Sequence, residues 1–253
     1  MGAAVVREVP RVEVSRPEGS PPSAHPLDDP VRAALLGPHA HLAQGHGDAL
    51  RYDPDVAPFL AQPRSTDEWD DVAALVGPGG DTVVPVFGDV APVGLELGRV
   101  LPGVQMVGDA VAVRADDDLV QLGPDDVPAM RALVARTRPG PFGPRTIEMG
   151  TYLGVVADGR LVAMAGERLH PPGYTEISAV CTDAAYRGRG LATRLVLAVA
   201  AGVRARGEVP FLHAAADNTP AIRLYEQLGF RLRARPDFVA LTVPSDVPAR
   251  TSA

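Results

Sequence analysis

The chain of 253 residues contains no lysine and a single cysteine, and aromatic residues make up only 5% of it. One cysteine excludes an internal disulfide framework and fits a reducing compartment, so we expect a cytoplasmic protein. Without lysine there is no Gly-Lys-Ser/Thr sequence, which excludes the phosphate-binding loop of nucleotide hydrolases. No apolar run is long and uninterrupted enough to predict a membrane span, and no secretory signal is visible.

Acidic residues outnumber basic ones, which gives a formal net charge of −7 and a pI of about 5.3. This balance argues against nucleic acid as a partner. The six histidines do not have the spacing of zinc ligands, so we expect no metal. With 46% hydrophobic and 22% charged residues, the composition is typical of a soluble globular protein, long enough for one large domain or two small ones.

A glycine-rich turn, Arg-Gly-Arg-Gly-Leu-Ala at residues 187–192, lies between a strand-like run and an amphipathic helix pattern. The first N–H groups of a helix lack intrahelical partners and lie at the positive end of the helix dipole. The turn therefore predicts a seat for a phosphate or pyrophosphate. It lacks the spaced third glycine of a dinucleotide fingerprint, and an ordinary strand-to-helix turn is the alternative.

A second motif follows the strand predicted at residues 209–215. Asn218 leads into a short helix in which Thr219 can serve as the N-cap, Pro220 fits the first position and Gly229 ends the helix. This helix carries the sequence Leu-Tyr-Glu-Gln-Leu-Gly-Phe at residues 224–230.

With these two motifs the chain resembles the GNAT superfamily of N-acetyltransferases. Its Arg/Gln-x-x-Gly-x-Gly/Ala signature is matched at Arg187, Gly190 and Ala192, and its Asn and Leu-Tyr-Glu-x-Leu-Gly-Phe signature is matched in the second motif. The resemblance covers residues 123–241, about half of the chain.

The resemblance implies an α/β fold of the α+β kind, with a mixed, mostly antiparallel sheet flanked by helices. Residues 121–253 show the expected order of elements, including an Asp158-Gly159 hairpin turn, and are predicted to form the catalytic domain. Residues 27–120 have similar elements without a phosphate turn, and we interpret them as an N-terminal lobe, either a degenerate GNAT-like lobe or a family-specific cap. Residues 1–26 are expected to be a mobile segment.

The resemblance also implies acetyl-CoA as co-substrate. Its pantetheine arm would pair with the strand before the turn, and its pyrophosphate would lie on the N–H groups of the turn, with Arg187 and Arg189 available for charge pairing. Arg189 could instead point into solvent, and Asn218 could simply cap the helix. Cys181 is interpreted as a buried strand residue rather than a reactive thiol. The predicted cofactor-binding residues are Val180, Cys181, Thr182, Arg187, Gly188, Arg189, Gly190, Leu191, Ala192, Thr193 and Asn218.

Tyr225 matches the family tyrosine that lies near the cofactor sulfur. A phenol with a pKa near about 10 can donate a proton to a departing thiolate, so Tyr225 is the predicted general acid, with a packed aromatic residue as the alternative. The predicted general base is Glu176. By period-two alternation its side chain should share a face of the strand with Val180 and Thr182.

Two other glutamates, Glu148 and Glu167, are rivals for the role of base. Each could equally be a structural ion-pair partner of Arg145 or Arg168. We therefore expect an N-acetyltransferase that moves an acetyl group from acetyl-CoA to a primary amine of a small molecule or protein by direct attack. A non-catalytic CoA-binding or regulatory protein is the alternative. The expected partners are acetyl-CoA and an amine, without nucleic acid, membrane or metal, and a homodimer is left open.

Overall fold

The computed structural model describes residues 25–88 and 91–245. The predicted mobile segment thus lies outside the described residues, apart from His25 and Pro26. The helices are α1 (Pro30–Leu35), α2 (Glu68–Val76), α3 (Val127–Thr137), α4 (Leu191–Ala205) and α5 (Thr219–Gln227). The strands are β1 (Ala43–His46), β2 (Ala49–Tyr52), β3 (Asp81–Val86), β4 (Glu96–Val107), β5 (Val120–Leu122), β6 (Tyr152–Ala157), β7 (Arg160–Glu167), β8 (Tyr174–Thr182), β9 (Val209–Ala215), β10 (Arg231–Ala234) and β11 (Asp237–Thr242).

Nine of these strands form one sheet in the order β3-β11-β4-β9-β8-β7-β6-β5, with β10 also paired to β4. The pair β8 and β9 is parallel, and the other neighbours are antiparallel. The turn between β6 and β7 has positive φ at both Asp158 and Gly159, as the predicted hairpin requires. This mixed, mostly antiparallel sheet with flanking helices confirms the predicted fold class.

Strand β4 comes from the first region of the chain and lies between strands of the second. It pairs with β11 over residues 96–102 and with β9 over residues 103–107. The sequence predicts a strand at residues 104–113; the observed strand is shifted towards the N-terminus because its first half is needed to pair with β11. The predicted boundary between an N-terminal lobe and a catalytic domain at residue 120 stays a prediction. Strands from both sides of this boundary are hydrogen-bonded to each other in one sheet.

The two faces of the sheet bury different clusters. On one face Ile177 and Leu212 pack against Leu195 and Val199 of α4. On the other face Phe211 packs in a cluster with N-terminal side chains, among them Leu27, Val31, Tyr52 and Phe59. Each fully buried Leu, Val, Ile or Phe side chain contributes roughly 1.5–3 kcal/mol, so both clusters hold the strands β8 and β9 firmly between them.

Candidate active site

Strands β8 and β9 separate halfway along their length. Their parallel register begins at Tyr174 and Val209 and ends at Ile177 and Leu212. Beyond that point β8 stays paired with β7, while β9 continues beside β4. Among the described residues, β8 has no strand partner on the side of the gap beyond Ile177, so this edge can pair with an added extended chain. This is the edge along which the predicted pantetheine contacts, residues 180–182, lie.

A bulge at Ala179 changes which way the side chains of β8 face. Ala179 has a φ of +53°, and the register with β7 shifts there. Val180 packs with Ile177 under α4, whereas Cys181 packs with the cluster on the opposite face. The predicted common face of Glu176 and Val180 is therefore wrong, because an extra residue in a strand reverses the alternation beyond it.

The glycine turn has the backbone conformation that the sequence indicates. Gly188 and Gly190 both have φ of +74°, a region that residues with a Cβ enter at a cost, and neither glycine is crowded by neighbouring atoms. The amide of Arg194 donates to the carbonyl of Gly190 at 3.1 Å. The N–H groups of residues 191–193 therefore precede the first intrahelical bond and remain open to an acceptor.

The two arginines of the turn lie on its exposed rim. Arg187 donates through Nε to the carbonyl of Thr182 at 3.3 Å. The guanidinium of Arg189 lies 4.9 Å from the ring centroid of Tyr186 and donates to the carbonyl of Ala185 at 3.3 Å. Both charged side chains belong to the turn that carries the open N–H groups, which suits an anion.

Arg194, in the first turn of α4, ties the segment after β4 to the same region. Its Nε and Nη2 donate to the carboxylate of Asp116 at 2.7 and 2.9 Å. Further along, the amide of Arg114 donates to the carbonyl of Leu197. Residues 109–119 thus run along α4 and are anchored next to the glycine turn.

Cys181 is 7% exposed, and burial raises the pKa of its thiol. A thiol that resists ionisation is a poor nucleophile, in keeping with the interpretation of Cys181 as a buried strand residue.

Asn218 and Tyr225 come from the second motif. The side-chain oxygen of Asn218 accepts from the amide of Ala221 at 3.3 Å, so Asn218 is the N-cap of α5 and the prediction of Thr219 as N-cap is wrong.

Tyr225 is 7% exposed and lies in the cluster under α4, with its ring 6.0 Å from that of Phe230. Burial raises the pKa of its phenol to about 12. Within the described part of the chain its hydroxyl makes no hydrogen bond.

Glu176 is fully buried and fully hydrogen-bonded. Its Oε1 accepts from Arg168 Nη2 at 2.6 Å and from His213 Nδ1 at 2.7 Å. Its Oε2 accepts from Arg168 Nε at 2.8 Å and from the amide of Leu169 at 3.3 Å. Burial by itself would raise the pKa of this carboxyl, but Arg168 and His213 hold it well below its usual range. Four donors fill the acceptor sites of the carboxylate, which argues against the predicted role of Glu176 as the base.

His213 on β9 was missed by sequence reasoning. Because Glu176 only accepts, Nδ1 of His213 carries the proton, and its Nε2 accepts from the side-chain amide of Gln105 at 3.1 Å. Gln105 also donates to the carbonyl of Leu27 at 3.0 Å and accepts from Arg233 at 2.8 Å. The sequence did contain a signal for His213. The alternation of side chains along residues 209–215 puts His213 on the same face of the strand as Phe211.

The two rival glutamates are also paired. Both carboxylate oxygens of Glu148 accept from Arg145, at 2.7 and 2.8 Å. Glu167 is 3% exposed; it accepts from Arg206 at 2.7 Å and from the amide of Thr151 at 3.1 Å. All three candidate bases are therefore arginine-bound carboxylates.

Comparison with known proteins shows to which family the chain belongs. The model of the FR47-like protein family matches residues 152–239, which include the gap, the glycine turn and α5. A crystal structure of a GNAT-family protein from Novosphingobium aromaticivorans superposes with a TM-score of 0.78 at 46% sequence identity, covering 86% of this chain and 98% of that one.

Two curated relatives match shorter segments. A mycothiol acetyltransferase from Corynebacterium glutamicum is 47% identical over 62 residues, which are 24% of this chain and 21% of the relative. The N-alpha-acetyltransferase RimI from Mycobacterium tuberculosis is 39% identical over 83 residues, which are 32% of this chain and 51% of the relative. The match thus spans about half of the length of these relatives or less.

The fold, the gap and these similarities define the class as the acetyltransferases. The chain belongs to the GNAT family, which confirms the resemblance of the two motifs. Within residues 25–88 and 91–245, no group of three His, Cys, Asp or Glu side chains is arranged to hold a metal ion. In the same residues no helix has both the length and the apolar character needed to cross a membrane.

Proposed function

We propose that the protein is an acetyl-CoA-dependent N-acetyltransferase that transfers the acetyl group to a primary amine of a small molecule or a protein. The observation that carries this proposal is the adjacency of the free edge of β8 and the glycine turn that directly follows it. An extended arm that ends in a pyrophosphate matches both features. The acetyltransferase names of the curated relatives support the reaction type. The single, buried cysteine supports a cytoplasmic location.

In this proposal the backbone of residues 180–182 pairs with the pantetheine arm, and the N–H groups of residues 188–193 bind the pyrophosphate. Arg187 and Arg189 supply counter-charge from the rim. Asn218 keeps its capping bond through the side-chain oxygen, which leaves its amide group for the arm. The open space around both glycines supports this fit.

Tyr225 is proposed to donate its hydrogen bond to the departing sulfur. Its hydroxyl has no competing partner in the described chain, and α5 packs it against the strands that form the gap. A pKa of about 12 keeps the phenol protonated at neutral pH. A thiol has a pKa of about 8.5 and is therefore a stronger acid than this phenol. The phenol thus stabilises the developing thiolate by a hydrogen bond and does not transfer its proton completely.

The test is thiol release from acetyl-CoA with a panel of amines. A hydrogen bond to a charged group contributes about 1.5–3 kcal/mol, so Tyr225→Phe should lower kcat by about 10- to 150-fold with little change in the KM for acetyl-CoA. The matched control is Tyr186→Phe, because the Tyr186 hydroxyl donates to Asp158 at 3.3 Å, on the surface. Unchanged turnover in Tyr225→Phe would remove this residue from the mechanism.

Direct attack of the amine on the thioester can be tested separately, by a search for a covalent acyl-enzyme. The chain has no lysine, so intact-mass spectrometry detects an acetyl group on Cys181 without a background of lysine acetylation. We expect no such acyl-enzyme; a mass gain that disappears in Cys181→Ala would contradict direct attack. Calorimetric binding of acetyl-CoA without turnover on any amine would favour a non-catalytic CoA-binding protein, and absence of binding would contradict both functions.

A further inference from the structure

We propose that His213 is a positioning residue: its bond to Glu176 holds strands β8 and β9 together where they separate, and so sets how far the acetyl-CoA arm enters the gap. This proposal rests on the N-acetyltransferase function proposed above and adds a residue that controls where the thioester lies. Its basis is a row of buried polar side chains that crosses the sheet at this point.

The bond between Glu176 and His213 spans the fork, by which we mean the end of the parallel pairing of β8 with β9 at Ile177 and Leu212. Glu176 directly precedes Ile177, and His213 directly follows Leu212. Nδ1 of His213 donates to Oε1 of Glu176 at 2.7 Å, and the two side chains are 3% and 0% exposed. The bond therefore joins the two strands at the last level at which their backbones pair.

Neighbouring strands hold both ends of this bond. Arg168, directly after β7, donates twice to Glu176, and Gln105 of β4 donates to Nε2 of His213 at 3.1 Å. Gln105 is fixed in turn by Arg233 of β10, which donates to its side-chain oxygen at 2.8 Å. We call these five residues the polar ladder. The ladder crosses the sheet in the strand order β7-β8-β9-β4, with β10 next to β4.

The ladder is buried on the face of the sheet that carries the N-terminal cluster. The rings of Phe211 and Phe238 lie beside that of His213, with 5.6 and 5.4 Å between centroids. A hydrogen bond between buried groups is costly to break, because each freed group loses its partner without gaining water. Opening the fork by one more residue pair would separate Glu176 from His213, so the ladder opposes that opening.

The position of the fork determines how far an added chain can enter. Up to Ile177 the edge of β8 is occupied by β9, so an arm that pairs with residues 180–182 has to stop there. The other end of the arm is fixed by the glycine turn. The fork thus sets where the thioester lies relative to Tyr225. A displacement of about 1 Å between reacting groups can lower a rate about 100-fold, which makes kcat sensitive to the fork.

The first experiment compares two substitutions of His213 that replace different ring nitrogens. The amide nitrogen of asparagine takes the place of Nδ1, so His213→Asn keeps a donor for Glu176; that of glutamine takes the place of Nε2, so His213→Gln lacks this donor. We expect His213→Gln to lower kcat about tenfold or more, and His213→Asn to lower it less than about threefold. Calorimetry should show nearly unchanged acetyl-CoA binding in both variants, because the glycine turn is untouched.

Equal kcat values in the two variants would overturn the proposal. If both values fall, His213 takes part in proton transfer, because neither amide side chain can take up a proton from the amine. If neither value falls, the fork holds without the ladder. If His213→Gln does not fold, His213→Leu takes its place, since leucine also lacks the donor to Glu176.

The second experiment measures amide hydrogen exchange of the free protein and needs no turnover. Residues 174–178 should exchange about fivefold faster or more in His213→Gln than in the wild type or His213→Asn, because local opening of the fork precedes exchange. Unchanged exchange in His213→Gln would contradict the proposal.

Thr175→Val is the matched control for both experiments. The hydroxyl of Thr175 donates to Glu208 and so links β8 to the residue before β9, but at the paired end of the two strands, away from the fork. Thr175→Val should leave kcat unchanged. A loss of kcat as large as that in His213→Gln would show that any link between β8 and β9 has this effect, which would also overturn the role of the fork.

The two proposals fail in different ways. If no amine is acetylated, the N-acetyltransferase function is wrong, whereas the exchange experiment still decides whether His213 holds the fork. If amines are acetylated but His213→Asn and His213→Gln do not differ, only the role of His213 is wrong.

Discussion

Replacement of Arg168 by methionine tests how strongly the buried ion pair holds the centre of the sheet. Arg168 is 9% exposed, and its guanidinium lies 4.8 Å from the ring centroid of Phe59. Methionine replaces the apolar stem of the arginine but lacks the guanidinium, so it removes two charge-assisted hydrogen bonds from Glu176. The carboxylate is then left buried with only His213 and one amide as donors.

Breaking one side of a buried ion pair costs about 3–5 kcal/mol, so Arg168→Met should lower the free energy of unfolding by that amount at pH 7.5. The loss should depend on pH. In the wild type the pKa of folded Glu176 is lowered, so its contribution to stability is present above the unfolded pKa of about 4.3 and is lost as the pH falls further. In the variant burial raises that pKa instead, so the penalty is relieved as the pH falls.

The measurement is urea unfolding of both proteins at pH 7.5 and 5.0, followed by circular dichroism. Arg145→Met is the matched control, because the Arg145–Glu148 pair is 43% and 40% exposed at its side chains and should contribute less than about 1 kcal/mol. If Arg168→Met does not fold, the double variant Arg168→Met with Glu176→Met should fold, since it leaves no buried charge unpaired. A loss below about 1 kcal/mol at pH 7.5, or a loss that grows towards pH 5.0, would refute the reasoning.

Two further substitutions test the glycine turn and the buried histidine. Gly190→Ala should cost about 1–2 kcal/mol because its φ is +74°, and calorimetry should show weaker acetyl-CoA binding; Gly159→Ala, at φ +70° in the β6–β7 hairpin, should have a similar cost and unchanged binding. Equal binding by both variants would contradict the proposed pyrophosphate seat. Burial, together with His170 and His41, lowers the pKa of His39 to about 3, so the unfolded state binds a proton that the folded state does not as the pH falls below 6.5. The wild type should therefore lose about 1.2 kcal/mol through His39 between pH 6 and 5, and His39→Gln should reduce that slope in urea unfolding; an unchanged slope would contradict this assignment.

Short-range sequence patterns predicted the strand, the turn and the helix on which the proposed cofactor site lies. Strands β8 and β9 end where the β-branched, apolar runs end, and α4 begins where the glycine turn allows it to begin. Two positive φ angles demand glycine at residues 188 and 190, and Asn218, the alternative cap that the sequence offered beside Thr219, is the residue that caps α5. Each of these features depends on residues within a few positions along the chain, so the pattern of residue types is sufficient.

The surroundings of the three candidate bases were decided by contacts between distant parts of the chain. The sequence by itself offered Glu148, Glu167 and Glu176 as bases, because it shows the carboxylates without their partners. Only the packed sheet brings His213 and Arg168 onto Glu176, and only the insertion of β4 next to β9 brings Gln105 onto His213. The bulge at Ala179 likewise arises from pairing with β7 and reverses the faces that alternation predicts. Charge pairing and strand register are set by neighbours in space. For this reason the order of residues determined the two sequence motifs, whereas the tertiary structure decided which partners the candidate bases have.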